Sequence, residues 1–158
     1  MNIDIICIGK IKEKYWTLAI EEYTKRLKKY CKLSIIEVKE YSEPKNPSEK
    51  DLEQIKSLES QLLYEKAQGA YIITLALEGK MLSSSELTDK LEHIVTYTNN
   101  HIALLIGGSN GISDEVKQKS DYLLSFSNMT FPHQMMRVIL LEQLYRAMKI
   151  KHNEPYHK

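Results

Sequence analysis

Hydrophobic positions along the chain alternate between two periods, and each change marks a boundary between elements. Residues 2–8 alternate apolar and polar and predict a strand. From Tyr15 to Tyr30, Trp16, Ala19, Ile20, Tyr23 and Leu27 recur at helical spacing. Leu33–Val38 predicts a second strand. Ser42-Glu43-Pro44-Lys45-Asn46-Pro47 is a proline-rich loop, and Ser48 with Asp51 resembles a capping box that opens a helix to about Lys66. Ala70–Leu77 is a continuous apolar run, the pattern of a buried parallel strand. Ser83–Ser85 cap a helix to about Tyr97, with Leu87, Leu91, Ile94 and Val95 facing inward. His101–Ile106 and Tyr122–Phe126 predict two more strands, with a short helix from Ser113 between them. The last helix runs from about Pro132 to Ile150.

Strand then helix, repeated along the whole chain, predicts an α/β fold with a mainly parallel, five-stranded sheet and helices on both faces. No linker or internal repeat interrupts the pattern, so residues 1–158 are expected to form a single domain. The last helix is apolar around almost its whole circumference, with only Glu142, Arg146 and Lys149 as a polar strip. Such a helix needs more than one buried face. One face packs on the sheet, and the second predicts a homodimer.

Composition narrows the class. The chain is 42% hydrophobic and 27% charged, which favours a packed core over disorder. No apolar run approaches the roughly 20 residues of a membrane span, and the N-terminus lacks the features of a signal peptide. Cys7 and Cys31 fall in no CxxC and read as free thiols of a reducing cytosol. The expected location is cytoplasmic. The net charge of +1 conceals an uneven distribution. Residues 10–32 hold eight Lys or Arg against three acids, and residues 137–158 hold five against two. These stretches are either solvated helix faces or a docking surface for a polyanion.

Two loops carry the candidate chemistry. Leu104-Leu105-Ile106-Gly107-Gly108-Ser109-Asn110-Gly111 runs from a strand into a glycine loop, and Ser125–Phe131 runs from a strand into the last helix. Loops beyond the carboxyl ends of neighbouring strands form ligand crevices. The glycine spacing is neither a dinucleotide fingerprint nor a P-loop. Asp114 and Glu115 open the following helix, where they would repel phosphate. A ligand at this end should be neutral or cationic. His133 and Arg137 stand one helical turn apart at the rim of the second loop, and Arg137, aimed at an apolar face, needs a carboxylate or a substrate phosphate. The tail Tyr156-His157-Lys158 groups a phenol, an imidazole and an ammonium, and it could close over a site at a dimer seam. The five histidines show no metal-ligand spacing, so no metal is expected.

Ile106-Gly107-Gly108-Ser109-Asn110-Gly111, Leu124–Gln134, Arg137 with Glu142-Gln143-Tyr145-Arg146-Ala147, and Pro155-Tyr156-His157-Lys158 together resemble the RlmH (YbeA-type) ribosomal RNA methyltransferases of the SPOUT superfamily. Ile8-Gly9-Lys10 and Leu77–Ser84 extend the resemblance over the whole chain. The resemblance implies a C-terminal trefoil knot, an exception to the rule against knots. It implies S-adenosylmethionine as methyl donor, bound by Leu75, Gly107, Phe126, Ser127, Asn128, Met129, Thr130 and Phe131. It implies a homodimer that acts on the assembled 70S ribosome and methylates N3 of a pseudouridine in the 23S rRNA hairpin facing the decoding centre. Neither DNA nor a membrane is an expected partner. His133, Arg137, Tyr156 and His157 are the candidate catalytic residues, and Arg137, Lys158, Lys10 and Lys12 the candidate substrate contacts. Two other readings compete: a non-catalytic RNA-binding assembly module, and a nucleotide-binding α/β enzyme.

Overall fold

The computed structural model describes residues 1–158. Ten elements follow one another: β1 (Asn2–Ile8), α1 (Lys14–Leu27), β2 (Lys32–Val38), α2 (Glu49–Lys66), β3 (Tyr71–Met81), α3 (Ser84–Tyr97), β4 (His101–Ile106), α4 (Asp114–Lys119), β5 (Tyr122–Ser125) and α5 (His133–Lys151). The five strands form one sheet in the order β2-β1-β4-β3-β5, and every pairing is parallel. This is the expected α/β architecture.

Alternation in the strands sorts the core into two layers. Ile3, Ile5 and Cys7 of β1 and Leu104 and Ile106 of β4 point to one face, where Leu27, Leu91, Ile94 and Leu140 from α1, α3 and α5 cover them. Ile6, Ile8, Ala103 and Leu105 point to the other, against Leu63 of α2 and Val116 of α4. Both α2 and α3 begin with complete capping boxes, Ser48 with Asp51 and Ser83 with Glu86. Each box satisfies orphan N–H groups reciprocally and sets where its helix begins.

Two boundaries depart from the sequence expectation. α1 stops at Leu27 rather than near Tyr30, because Lys28–Tyr30 turn back so that the Tyr30 and Cys31 N–H groups donate to the Leu27 carbonyl. β3 extends four residues beyond Leu77. Leu75 and Lys80 both stand opposite Leu124 of β5, so the intervening residues bulge out of the ladder. The bulge opens the carboxyl end of the sheet beside β4 and β5.

α5 lies against α1 and α3 and reaches β4. Its buried side holds Arg137, Leu140, Leu141, Leu144, Tyr145, Ala147 and Met148. Beside it, Tyr15 and Leu18 of α1 are 60% and 54% exposed, an apolar edge that this chain leaves uncovered.

Candidate active site

The carboxyl ends of β3, β4 and β5 converge on a cleft of about 350 Å³. That volume suits one small ligand. Leu75, Ile106, Leu124, Phe126 and Phe131 supply apolar walls. The glycine loop forms a third side. It closes as a tight turn in which the Gly111 N–H donates to the Gly108 carbonyl at 3.0 Å, with Gly111 at φ 77°. A Cβ on Gly107 would lie 2.8 Å from Ile112 Cγ1 and 2.9 Å from the Gly111 backbone, so this position requires glycine. The second loop is shaped by its own hydroxyls. Ser125 Oγ donates to the Ser127 carbonyl at 3.1 Å, and Ser127 Oγ accepts from the Met129 N–H at 2.9 Å.

The cleft lining carries one ion pair. Lys117 Nζ meets Glu78 Oε1 at 2.5 Å, and both side chains line the cleft. The lysine holds the Glu78 carboxyl below its usual range. His133 also lines the cleft, and burial with the nearby Arg137 charge holds its imidazole below the ordinary histidine value. The imidazole is therefore neutral near pH 7 and can accept a proton. No cation here is free to hold a phosphate.

Of the eight residues expected to bind the cofactor, Leu75, Gly107, Phe126, Ser127, Met129, Thr130 and Phe131 line the cleft. Asn128 is exposed and is not among the lining residues. Arg137, one helical turn after His133, is 1% exposed, and a carboxylate is its partner. Nη1 donates to Glu37 Oε1 at 3.1 Å, and Nη2 donates to the Ile8 and Gly9 carbonyls at 2.6 and 2.8 Å. The guanidinium thus ties α5 to the carboxyl ends of β1 and β2, and it presents no face to a substrate phosphate. Lys10 and Lys12 lie exposed on the segment after β1, and the Lys12 charge acts on His133. The tail lies outside its own chain's cleft. Tyr156 donates to Glu142 Oε1 at 3.2 Å and packs on Tyr145, His157 Nδ1 faces Arg146 Nη1 at 3.4 Å, and Lys158 is exposed.

Sequence reasoning missed the β3 bulge as a wall. Ala76, Leu77 and Glu78 all line the cleft, as does Lys117 from α4. The signal was Glu78-Gly79-Lys80, a charged, glycine-centred break in an apolar run. Gly79 sits where a Cβ would meet the Leu123 and Leu124 backbone at 2.7 Å.

Comparison with known proteins places this geometry. The family model described as "Predicted SPOUT methyltransferase" matches residues 1–157. A protein of Clostridium novyi (strain NT) named "Ribosomal RNA large subunit methyltransferase H" is 55% identical over 159 aligned positions, covering 100% of both chains. A protein of the same name from Clostridioides difficile (strain 630) is 53% identical over the same span. Among solved structures, a probable methylase family protein from Haemophilus influenzae Rd KW20 shares the fold with a TM-score of 0.56 at 16% identity, over 99% of this chain and 70% of that one. With one family model spanning all but the last residue, the chain belongs to the SPOUT methyltransferase family.

Proposed function

We propose that this protein is an S-adenosylmethionine-dependent methyltransferase of large-subunit ribosomal RNA. The observation that carries the reading is the cleft: an apolar slot walled by glycine backbone, with its one lysine spent on Glu78. Such a site suits a purine nucleoside joined to a zwitterionic tail and disfavours a phosphate-bearing nucleotide. The full-length relatives named as ribosomal RNA methyltransferases support the same class. The finer reading is methylation at N3 of a pseudouridine in the 23S rRNA hairpin that faces the decoding centre, on the assembled 70S ribosome. The enzyme would be a cytoplasmic homodimer, one domain per chain, with its C-terminal part threaded as a trefoil knot.

When bound, the cofactor supplies an electrophilic methyl group for in-line displacement. The protein's share is positioning and proton transfer. Leu75, Phe126 and Phe131, which line the cleft, would hold and desolvate the adenosyl group, and loop N–H and C=O groups between Gly107 and Phe131 would complement its edges. An imide nitrogen must lose its proton to become a nucleophile. His133, which is neutral and lines the cleft, would take it. Tyr156 is a poor base within one chain, because burial and the Glu142 carboxylate hold its phenol above its ordinary value. In a dimer across α5 and the uncovered edge of α1, Tyr156, His157 and Lys158 of one protomer would close the partner's cleft and contact RNA. Lys10 and Lys12 would add salt-sensitive attraction to phosphates.

The test is transfer of labelled methyl from S-adenosylmethionine to ribosomes lacking the modification, with free ribosomal RNA and separate subunits alongside. Label in the large-subunit RNA of whole ribosomes is expected. Binding of the cofactor without label in any RNA would overturn the substrate assignment. Wild-type turnover in His133→Ala would overturn the proton-transfer assignment, and a loss confined to Tyr156→Phe or His157→Ala would move it to the tail.

A further inference from the structure

Glu59 is a buried acid that the mechanism above does not use. It lies on the sheet-facing side of α2 with Ile55, Ser60 and Leu63, and it is 3% exposed. Its Oε1 accepts the Tyr41 N–H at 2.9 Å. Its Oε2 lies against the glycine loop, 2.8 Å from where a Cβ on Gly108 would stand. The next residue, Ser60, is fully buried, and its Oγ accepts the Ser113 N–H at 2.8 Å. Two successive residues of α2 therefore grip the glycine loop near its start and at its end.

The charge is the unusual part. Burial pushes the Glu59 carboxyl up, the Tyr41 N–H opposes this, and the neighbouring charges that act on it are Glu40 and Glu43, which push it further up. The cleft-lining Glu78 has Lys117 as its counter-ion, whereas the charges acting on Glu59 are both acids. A buried carboxylate without a cation costs stability. Gly108 lines the cleft, so this carboxylate stands directly behind one of its walls.

We infer that Glu59 is a positioning residue for the cofactor, an uncompensated negative charge behind Gly108 that makes the cleft select a cationic ligand over its neutral counterpart. The inference rests on the cofactor reading above and deepens it. S-adenosylmethionine carries a sulfonium, whereas its demethylated product has a neutral thioether of nearly the same shape. A fixed negative field lowers the free energy of the first and not the second, so the same residue holds the donor and releases the spent product. One charge at about 10 Å in an effective dielectric of about 20 corresponds to roughly tenfold in affinity.

Calorimetry on the full-length protein tests this with three probes: S-adenosylmethionine, sinefungin (an ammonium at the sulfonium position) and S-adenosylhomocysteine. Glu59→Gln keeps an acceptor for Tyr41 and removes the charge. It should weaken the two cationic probes by about tenfold and leave the neutral one within about twofold. Glu59→Met is the second neutral variant, since replacing a buried charge by a packed apolar chain is often neutral or stabilising. Glu59→Asp, which keeps the charge, should preserve the wild-type preference. An equal loss for all three probes would reduce Glu59 to a brace for the loop and overturn the inference, as would unchanged affinities. Wild-type protein that binds none of the probes would instead refute the cofactor reading itself.

Discussion

Arg137 and Glu37 meet at 3.1 Å across 100 residues of sequence, with the arginine at 1% exposure and the glutamate one-third exposed. The remaining guanidinium hydrogen bonds go to the Ile8 and Gly9 carbonyls, so this contact clamps the last helix to the ends of two strands. Removing the arginine strands a partly buried carboxylate and two carbonyls. Arg137→Ala is expected to cost about 2–4 kcal/mol, below the range for a fully buried pair because Glu37 still reaches water. Arg137→Lys should recover little, since one ammonium cannot replace a fork that serves three acceptors. Urea unfolding checks both. Wild-type stability in Arg137→Ala, with activity alone lost, would move the residue back among the substrate contacts.

Gly79 decides whether the β3 bulge can form. A methyl group there would press on the Leu123 and Leu124 backbone at 2.7 Å, where no flexible side chain can yield. Gly79→Ala should destabilise the protein by about 1–3 kcal/mol, the usual scale of overpacking. It should also disturb Leu77 and Glu78 at the cleft. Gly107→Ala acts on the opposite wall, through Ile112 and the Gly111 backbone. It is expected to cost more in S-adenosylmethionine affinity than in stability, and calorimetry with thermal denaturation separates the two. Intact affinity in Gly107→Ala would mean that the ligand does not touch this wall.

Periodicity made the five strands and the five helices legible, because each buries a face at a period of 2 or 3.6 residues. It could not show the second pairing of β3 with β5, since a bulge is fixed by contacts with another strand rather than by local pattern. The two loops were legible as a ligand crevice from small residues after apolar runs. The partner of Arg137 was not: Glu37 lies on a strand 100 positions away, and a lone arginine on an apolar face reads equally as a phosphate contact. Lys117 was hidden for the same reason, as its role depends on Glu78 in another element.

His133 is held below the ordinary histidine value first by burial and then by the Arg137 charge, with Glu40 opposing and Lys12 adding a smaller push downward. Resonances of its imidazole should therefore titrate below the ordinary 6.5. Folding disfavours the protonated ring, so this residue's contribution to stability is present at neutral pH and falls as pH drops below 6.5. Lys12→Gln should move the titration upward slightly, and NMR of the full-length protein reads both effects. A His133 midpoint at or above 6.5 would contradict the buried, neutral imidazole.

Glu154 ties the tail to the body and makes that attachment sensitive to acid. Its carboxylate takes Lys149 Nζ and the Tyr30 hydroxyl, the latter at 2.8 Å, with Lys29 at 3.5 Å. These partners, Lys149 first, pull its pKa down from 4.5 to about 2. A depressed folded pKa means that the ionised form stabilises the attachment. Its contribution is complete above pH 4.5 and is lost as pH falls toward about 2. Every partner is near the surface, so the latch is also screened by salt. Limited proteolysis should show residues 152–158 becoming cleavable across this window in the wild type, before the body unfolds. Glu154→Gln should show the same cleavability already at neutral pH, and its tail should respond little to acid. Since Tyr156 and His157 follow the latch directly, turnover on ribosomes should fall in Glu154→Gln while cofactor affinity holds. A tail equally resistant to protease in the variant and the wild type would show that Tyr156, packed on Tyr145, holds the tail without the latch.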